Sequence, residues 1–183
     1  MLEMLFPKSA DNNYLGYKSV LYIFIPFLML MTWRSLIHMS FEEFGLHGIA
    51  NVKVLTGNPD PMPLIYAFFS VWGLVQLIFC AFAWIVIIRY KSLMPLIILA
   101  FLVEWSVRVF TSSAIVNKPI YSDGITPGMV YAPYVTLFLL ILFVFSLIKN
   151  IDPFLCKIFN FSLVLFILIF WENLVKNIKK SLL

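Results

Sequence analysis

Glu104 and Arg108 are charged residues inside a stretch of sequence that is otherwise apolar enough to cross a membrane. They stand four positions apart in Leu102-Val-Glu-Trp-Ser-Val-Arg-Val109. Residues with this spacing share one face of a helix, so the carboxylate and the guanidinium can form an ion pair. A charged side chain at the bilayer centre costs about 2.5–3.5 kcal/mol on insertion scales, which makes such a carboxylate a candidate for ligand or proton handling.

Other polar and aromatic residues are predicted to lie near this pair in the membrane. At a rise of about 1.5 Å per residue, Glu104 lies about 16 Å along its helix, just past the midplane, and Arg108 about 6 Å further out. Gln76 lies at a matching depth on the preceding helix, and Arg34 lies in the outer third of the first. We therefore predict one cluster with a ligand-binding or structural role: Arg34, His38, Trp72, Gln76, Glu104, Trp105 and Arg108.

Two interpretations of the cluster are open from the sequence. In the first, Glu104 and Arg108 form a structural clasp that holds the helices in register. In the second, the pair handles a ligand or a proton, although an arginine one turn away already neutralises the carboxylate and so disfavours a proton relay. Trp72 and Trp105 suggest a more specific form of the second, in which they line a largely apolar cavity for a flat lipophile such as a quinone or an isoprenoid.

The sequence predicts no catalytic residue, no metal site and no cofactor. His38 and His47 are the two histidines, which are too few for the histidine boxes of membrane di-iron enzymes. We expect His47 to be a solvated loop residue. Cys80 and Cys156 are far apart and belong to no Cys-x-x-Cys pair, so zinc or thiol redox chemistry is not expected.

The composition assigns the chain to the membrane proteins. Of its 183 residues, 62% are hydrophobic and only 12% are charged, whereas a soluble domain is nearer half apolar and a quarter charged. The length allows one domain, residues 1–183, and no second folded unit. The basic residues that produce the net charge of +4 stand at the ends of apolar runs, which argues against a nucleic-acid partner.

Apolar runs bounded by turn residues predict an all-α fold, a polytopic transmembrane bundle of four to five helices. The predicted spans are about 18–38, 64–88, 93–111, 130–148 and 154–175. In the second span, Gly73, Gln76, Cys80 and Ala83 form a stripe at helical spacing, and small residues on one stripe let another helix approach closely. We interpret this stripe as the seam of the bundle, where Gln76 finds a hydrogen-bonding neighbour.

The distribution of basic residues predicts the orientation in the membrane. With the N-terminus in the cytoplasm, six basic residues lie inside and two lie outside, the bias expected of cytoplasmic loops. The six are Lys8, Lys18, Arg89, Lys91, Lys149 and Lys157, and the two are Lys53 and Lys118. A fifth span would place three further lysines outside and reduce this bias.

Residues 64–148 resemble the small bacterial four-helix membrane proteins of the DoxX-like type. The resemblance is carried by Trp-Gly-x-x-Gln from Trp72 to Gln76, by the basic turn at Arg89, and by the acid one turn before an arginine at Glu104. It implies a four-helix bundle in the bacterial inner membrane, sometimes an accessory to respiratory or redox membrane complexes. The segment from Asp152 onward departs from that plan.

These observations lead to two functional hypotheses. The first is a non-enzymatic integral membrane protein that acts as an accessory subunit or a lipophile-binding module, organised around the cluster. Its expected partners are membrane lipids, a lipophilic small molecule such as a quinone, and a membrane protein complex. The alternative is a small transporter or membrane enzyme that uses the same cluster on a lipophilic or ionic substrate.

Overall fold

The computed structural model describes residues 2–112, 120–122, 124 and 126–149 and contains six α-helices in this part of the chain. These are α1 (Leu2–Leu5), α2 (Lys18–Ser40), α3 (Met62–Arg89), α4 (Met94–Ser112), α5 (Pro127–Val130) and α6 (Ala132–Ser146). A π-helical segment, Phe44–Ile49, follows α2, and a single 3₁₀ turn, Lys91–Leu93, precedes α4. The structure confirms the predicted all-α helical bundle.

Three of these helices are long and apolar enough to cross a membrane: α2, α3, and the 3₁₀ turn continued by α4. The fourth long helix, α6, is apolar but has only 15 residues, about 22 Å at the usual rise, and is shorter than a hydrocarbon core of about 30 Å. It lies within the predicted span 130–148. The predicted span 154–175 lies outside the described residues.

The four long helices form two close antiparallel pairs, α2 with α3 and α4 with α6. The stripe predicted as the seam is buried on α3, where it faces α2. Gly73 shows why a small residue is needed, because a Cβ built on it would lie 2.6 Å from the backbone nitrogen of Met39 and 2.8 Å from the carbonyl carbon of His38. The absent side chain therefore lets two helix backbones touch.

A layer of phenylalanines fills the space between the two helix pairs. Phe101 of α4 is almost fully buried, and its ring centroid lies 4.4 Å from that of Phe79 on α3 and 5.5 Å from that of Phe24 on α2. Phe27 joins the same layer, 5.6 Å from Phe101 and 5.9 Å from Phe138 of α6. These rings pack the two helix pairs against each other about one turn before Glu104 on α4.

Hydrogen bonds between connecting segments close both ends of the bundle. At the end near Arg89, which we call the basic end, the backbone of Asp11 exchanges hydrogen bonds with Ser92, at 2.9 Å and 3.1 Å. At the opposite end, which we call the loop end (residues 41–61 and 120–131), the Thr126 hydroxyl donates to the carbonyl of Ala50 at 2.7 Å and that of Ser122 to Asn51 at 3.0 Å. The two long connections therefore form one cap.

His47 is part of this cap, and the expectation that it would be a solvated loop residue was wrong. Its ring nitrogens lie 2.6 Å from the carbonyl oxygen of Val52 and 2.8 Å from the hydroxyl of Tyr66. The side chain is half-buried against α3. The π-helical turn carries the imidazole back toward the start of α3, a path that composition and turn signals could not predict.

Candidate functional site

Four side chains from three helices form a continuous hydrogen-bonded chain. Gln76 of α3 lies at its centre, where its amide oxygen accepts from Nη2 of Arg34 on α2 at 2.8 Å. Its amide nitrogen donates to Oε1 of Glu104 on α4 at 3.2 Å. Arg108, one turn beyond, donates to the same carboxylate oxygen and forms an ion pair with it. The buried amide thus links the first guanidinium to the ion pair between the two helix pairs.

Two tryptophans surround both guanidinium groups. The Cζ atom of Arg34 lies 5.5 Å from the ring centroid of Trp72 and 5.7 Å from that of Trp105. The Cζ atom of Arg108 lies 5.1 Å and 4.9 Å from the same two centroids. A cation within about 6 Å of an indole face is attracted by the ring quadrupole, and the attraction grows when water is excluded. The indoles therefore help to hold two like charges close together.

His38 extends the site along α2 by one turn from Arg34. Its ring is stacked on Trp72, with centroids 5.1 Å apart and an interplanar angle of 23°. Phe69 contacts the imidazole as well, at 4.6 Å between centroids. His38 is only 4% exposed, so it belongs to the interior of the bundle.

Several polar atoms of this site are buried without a hydrogen-bond partner in the described part of the chain. They are Nε of Arg34, Nδ1 of His38, Oε2 of Glu104 and Nε1 of Trp105. Buried polar groups in native proteins are normally paired, and an unpaired one costs about 1–3 kcal/mol. The cluster therefore contains polar atoms, donors and an acceptor among them, that the described residues leave unpaired.

Access to the site differs between its sides. Toward the loop end, α5 covers Arg34, because a Cβ added at Gly128 would lie 3.6 Å from its Nη1 atom. The Glu104 side chain is 31% exposed and that of Arg108 is 12% exposed, and Val103 and Val107, the neighbours of Glu104 on the surface of α4, are 54% and 53% exposed. Among the described residues, the site is therefore open laterally, toward the lipid, more than toward the loop end.

The structure brings together all seven residues of the predicted cluster: Arg34, His38, Trp72, Gln76, Glu104, Trp105 and Arg108. Whether the cluster serves a ligand or only the fold stays a prediction. Two neighbours were not anticipated. Phe69 could have been found, since it lies one turn before Gly73 on the seam of α3. Gly128 could not, because nothing in helical spacing places a loop over the bundle.

Within the described ranges, no three His, Cys, Asp or Glu side chains stand close enough together to hold a metal ion. The groups that the site offers are instead guanidinium and indole N–H donors, an imidazole and one carboxylate. Such a set can bind a carboxylate, a phosphate or a carbonyl oxygen by hydrogen bonds.

The fold and the site together define a small helical-bundle membrane protein with a polar cluster between its helix pairs. The chain matches no protein-family model, no curated protein and no solved structure.

Proposed function

We propose that this chain is a non-enzymatic integral membrane protein that binds a lipophilic ligand at the cluster that contains Arg34, Glu104 and Arg108. The observation that carries the proposal is the group of buried, unpaired polar atoms on Arg34, His38, Glu104 and Trp105. A purely structural clasp gains most when each of its polar atoms is satisfied by another, since a half-satisfied network is worse than an apolar core. This cluster retains donors and an acceptor that a bound ligand would pair.

The surroundings of the cluster favour a ligand that arrives through the membrane. The residues beside it on the surfaces of α3 and α4, Val75 and Val107, are 58% and 53% exposed and apolar. The phenylalanine layer around Phe101 lies one turn deeper. A few polar groups inside a mostly apolar environment are typical of sites for small lipophiles such as quinones or isoprenoids. Because of the DoxX-like resemblance, we extend the proposal to a role as an accessory subunit of a respiratory or redox complex.

The proposal is tested by purifying the protein in a mild detergent and identifying its bound molecules by native mass spectrometry. We expect one lipophile per chain on the wild type, and its loss in Trp72→Leu, which removes an indole of the cluster. Trp33→Leu is the matched control, because Trp33 lies on α2 but is 54% exposed, and it should retain the ligand. A wild type that carries only bulk lipids, in the proportions seen with Trp72→Leu, would contradict the proposal.

We further propose that the protein lies in a bacterial inner membrane with its N-terminus in the cytoplasm. The support is the bias of basic residues toward the basic end, including Arg89 and Lys91 between α3 and α4. Reporter fusions test this orientation. A fluorescent protein fused after Lys91 should fold in the cytoplasm, and alkaline phosphatase inserted after Gly57 should be active outside. The reverse pattern would show that the orientation is wrong.

A further inference from the structure

The Arg34 guanidinium has no negatively charged partner in the part of the chain that the structure describes. No carboxylate oxygen of the described residues lies within 4.0 Å of it, and its hydrogen bond goes to the neutral amide oxygen of Gln76. The nearby carboxylate of Glu104 pairs instead with Arg108. A buried cation whose hydrogen bond is made to a neutral group is costly in hydrocarbon unless an anion accompanies it.

Two N–H donors, one in this guanidinium and one next to it, are also unpaired among the described residues. Nε of Arg34 and Nε1 of Trp105 are both buried without an acceptor, and they belong to one contact, in which Cζ of Arg34 lies 5.7 Å from the Trp105 ring centroid. Both atoms can only donate. Their natural partner is therefore an acceptor, and the adjacent positive charge favours an acceptor that is ionised.

The direction of access selects the kind of molecule that carries the anion. Gly128 of α5 lies over Nη1 of Arg34 on the side toward the loop end, whereas Glu104 is 31% exposed beside Val103 and Val107, which are exposed on the surface of α4. Arg34 lies six residues, about 9 Å, inside the end of α2. An anionic group on an apolar chain can enter from the lipid, with its chain along Val75 and Val107, more readily than a hydrated ion can pass the cap.

On the basis of the proposed function, we infer that the polar end of the ligand is a carboxylate or phosphate group bound by the guanidinium of Arg34 and the indole N–H of Trp105. The ligand is then an anionic amphiphile, such as a fatty acid or a lipid phosphate. Gln76 has a positioning role in this arrangement, because its hydrogen bond to Nη2 orients the guanidinium so that Nε remains available.

The test follows thermal unfolding of the delipidated full-length protein in neutral detergent during titration with single ligands. Oleate and phosphatidylglycerol are the anionic amphiphiles, and inorganic phosphate is the free anion. Phosphatidylcholine and a short-chain quinone are the comparison ligands without net charge. We expect at least one anionic amphiphile to raise the wild-type midpoint saturably, and the other three ligands to leave it unchanged.

Variants connect this stabilisation to the two donors. Arg34→Gln should weaken the binding of the anionic amphiphile by about tenfold or more, as loss of a charged hydrogen bond predicts. Arg89→Gln is the matched control, since Arg89 is exposed at the end of α3, and it should bind like the wild type. Trp105→Phe keeps an aromatic ring in the buried position but replaces the indole by a smaller phenyl ring without an N–H, so it should bind several-fold more weakly. It therefore tests the assignment even if Arg34→Gln unfolds.

The outcomes separate this inference from the proposed function. Stabilisation by the quinone alone, equal in wild type and Arg34→Gln, would show that the polar end of the ligand is not an anion bound by Arg34. It would leave the proposed lipophile binding in place. Stabilisation by inorganic phosphate alone would support the anion site and overturn lipophile binding. If none of the five ligands stabilises the wild type, both are wrong. Unchanged binding by Trp105→Phe would remove Trp105 from the site.

Discussion

Replacement of Gly73 by valine is expected to lower the thermal midpoint of the protein by about 5–10 °C. Overpacking a close contact typically costs about 1–3 kcal/mol, and a chain of this size loses about 2–4 °C per kcal/mol. Gly73 should be at the upper end of that range, because the atoms opposite it are the backbone of Met39 and His38, at 2.6 Å and 2.8 Å from a Cβ. Unlike flexible side chains, they yield only when α2 moves away from α3.

Displacement of α2 would also move Arg34 and His38 away from Gln76 and Trp72. Gly73→Val should therefore lose ligand as well as stability, which thermal unfolding by tryptophan fluorescence and mass spectrometry of bound lipophile measure together. Ala81→Val is the control, since Ala81 is an exposed small residue on the same helix, and its midpoint should change by less than about 2 °C. Equal midpoints for the two variants would show that the α2–α3 contact is not as close as described.

Glu104→Gln is expected to have the larger effect, with low expression and a midpoint reduced by more than about 10 °C. The substitution retains the size of the side chain but removes the negative charge that lies between Arg34 and Arg108. Two guanidiniums would then share one pair of indoles without the carboxylate that Gln76 and Arg108 bind in the wild type. Removing one partner of a buried ion pair costs about 3–5 kcal/mol, several times the value of an exposed pair.

The controls for Glu104→Gln separate charge from shape. Glu43→Gln makes the same change at an exposed position directly before the π-helical segment and should leave expression and midpoint unaltered. The double variant Glu104→Gln, Arg108→Gln removes both members of the ion pair and should recover part of the lost stability, because the cluster returns to a single positive charge. A stable Glu104→Gln protein that has lost its bound lipophile would instead assign the carboxylate to the ligand.

Much of this site could be predicted from local sequence spacing. Glu104 and Arg108 had to share a face because they are four residues apart on a helix, and Gly73 had to lie on the face of Gln76 because it is three residues away. Helix length along a membrane of known thickness then placed Arg34 in the outer third of the first span. These inferences need only a regular helix and a bilayer, so they did not depend on how the helices pack.

Contacts made by the connecting segments could not be predicted in the same way. His47 was expected in solvent, yet it binds Tyr66, because a π-helical turn redirects the chain after α2. Gly128 lies over Arg34 through a helix of only four residues. The conformation of a loop depends on turn geometry and on the hydrogen bonds it makes, and loop sequences have no helical period. Residue spacing therefore does not predict where a loop lies on the bundle.

By itself, the sequence determined that this is a helical membrane protein and which faces of its helices are polar. Hydrophobicity and helical periodicity are local properties, and a bilayer converts them directly into spans and depths. Only the tertiary structure decided that α2 packs on α3 and α4 on α6, that Gln76 joins Arg34 to Glu104, and that Arg34, within the described residues, donates to a neutral amide and not to a carboxylate. Those facts depend on which side chains meet across helices, and that is set by packing of the whole bundle.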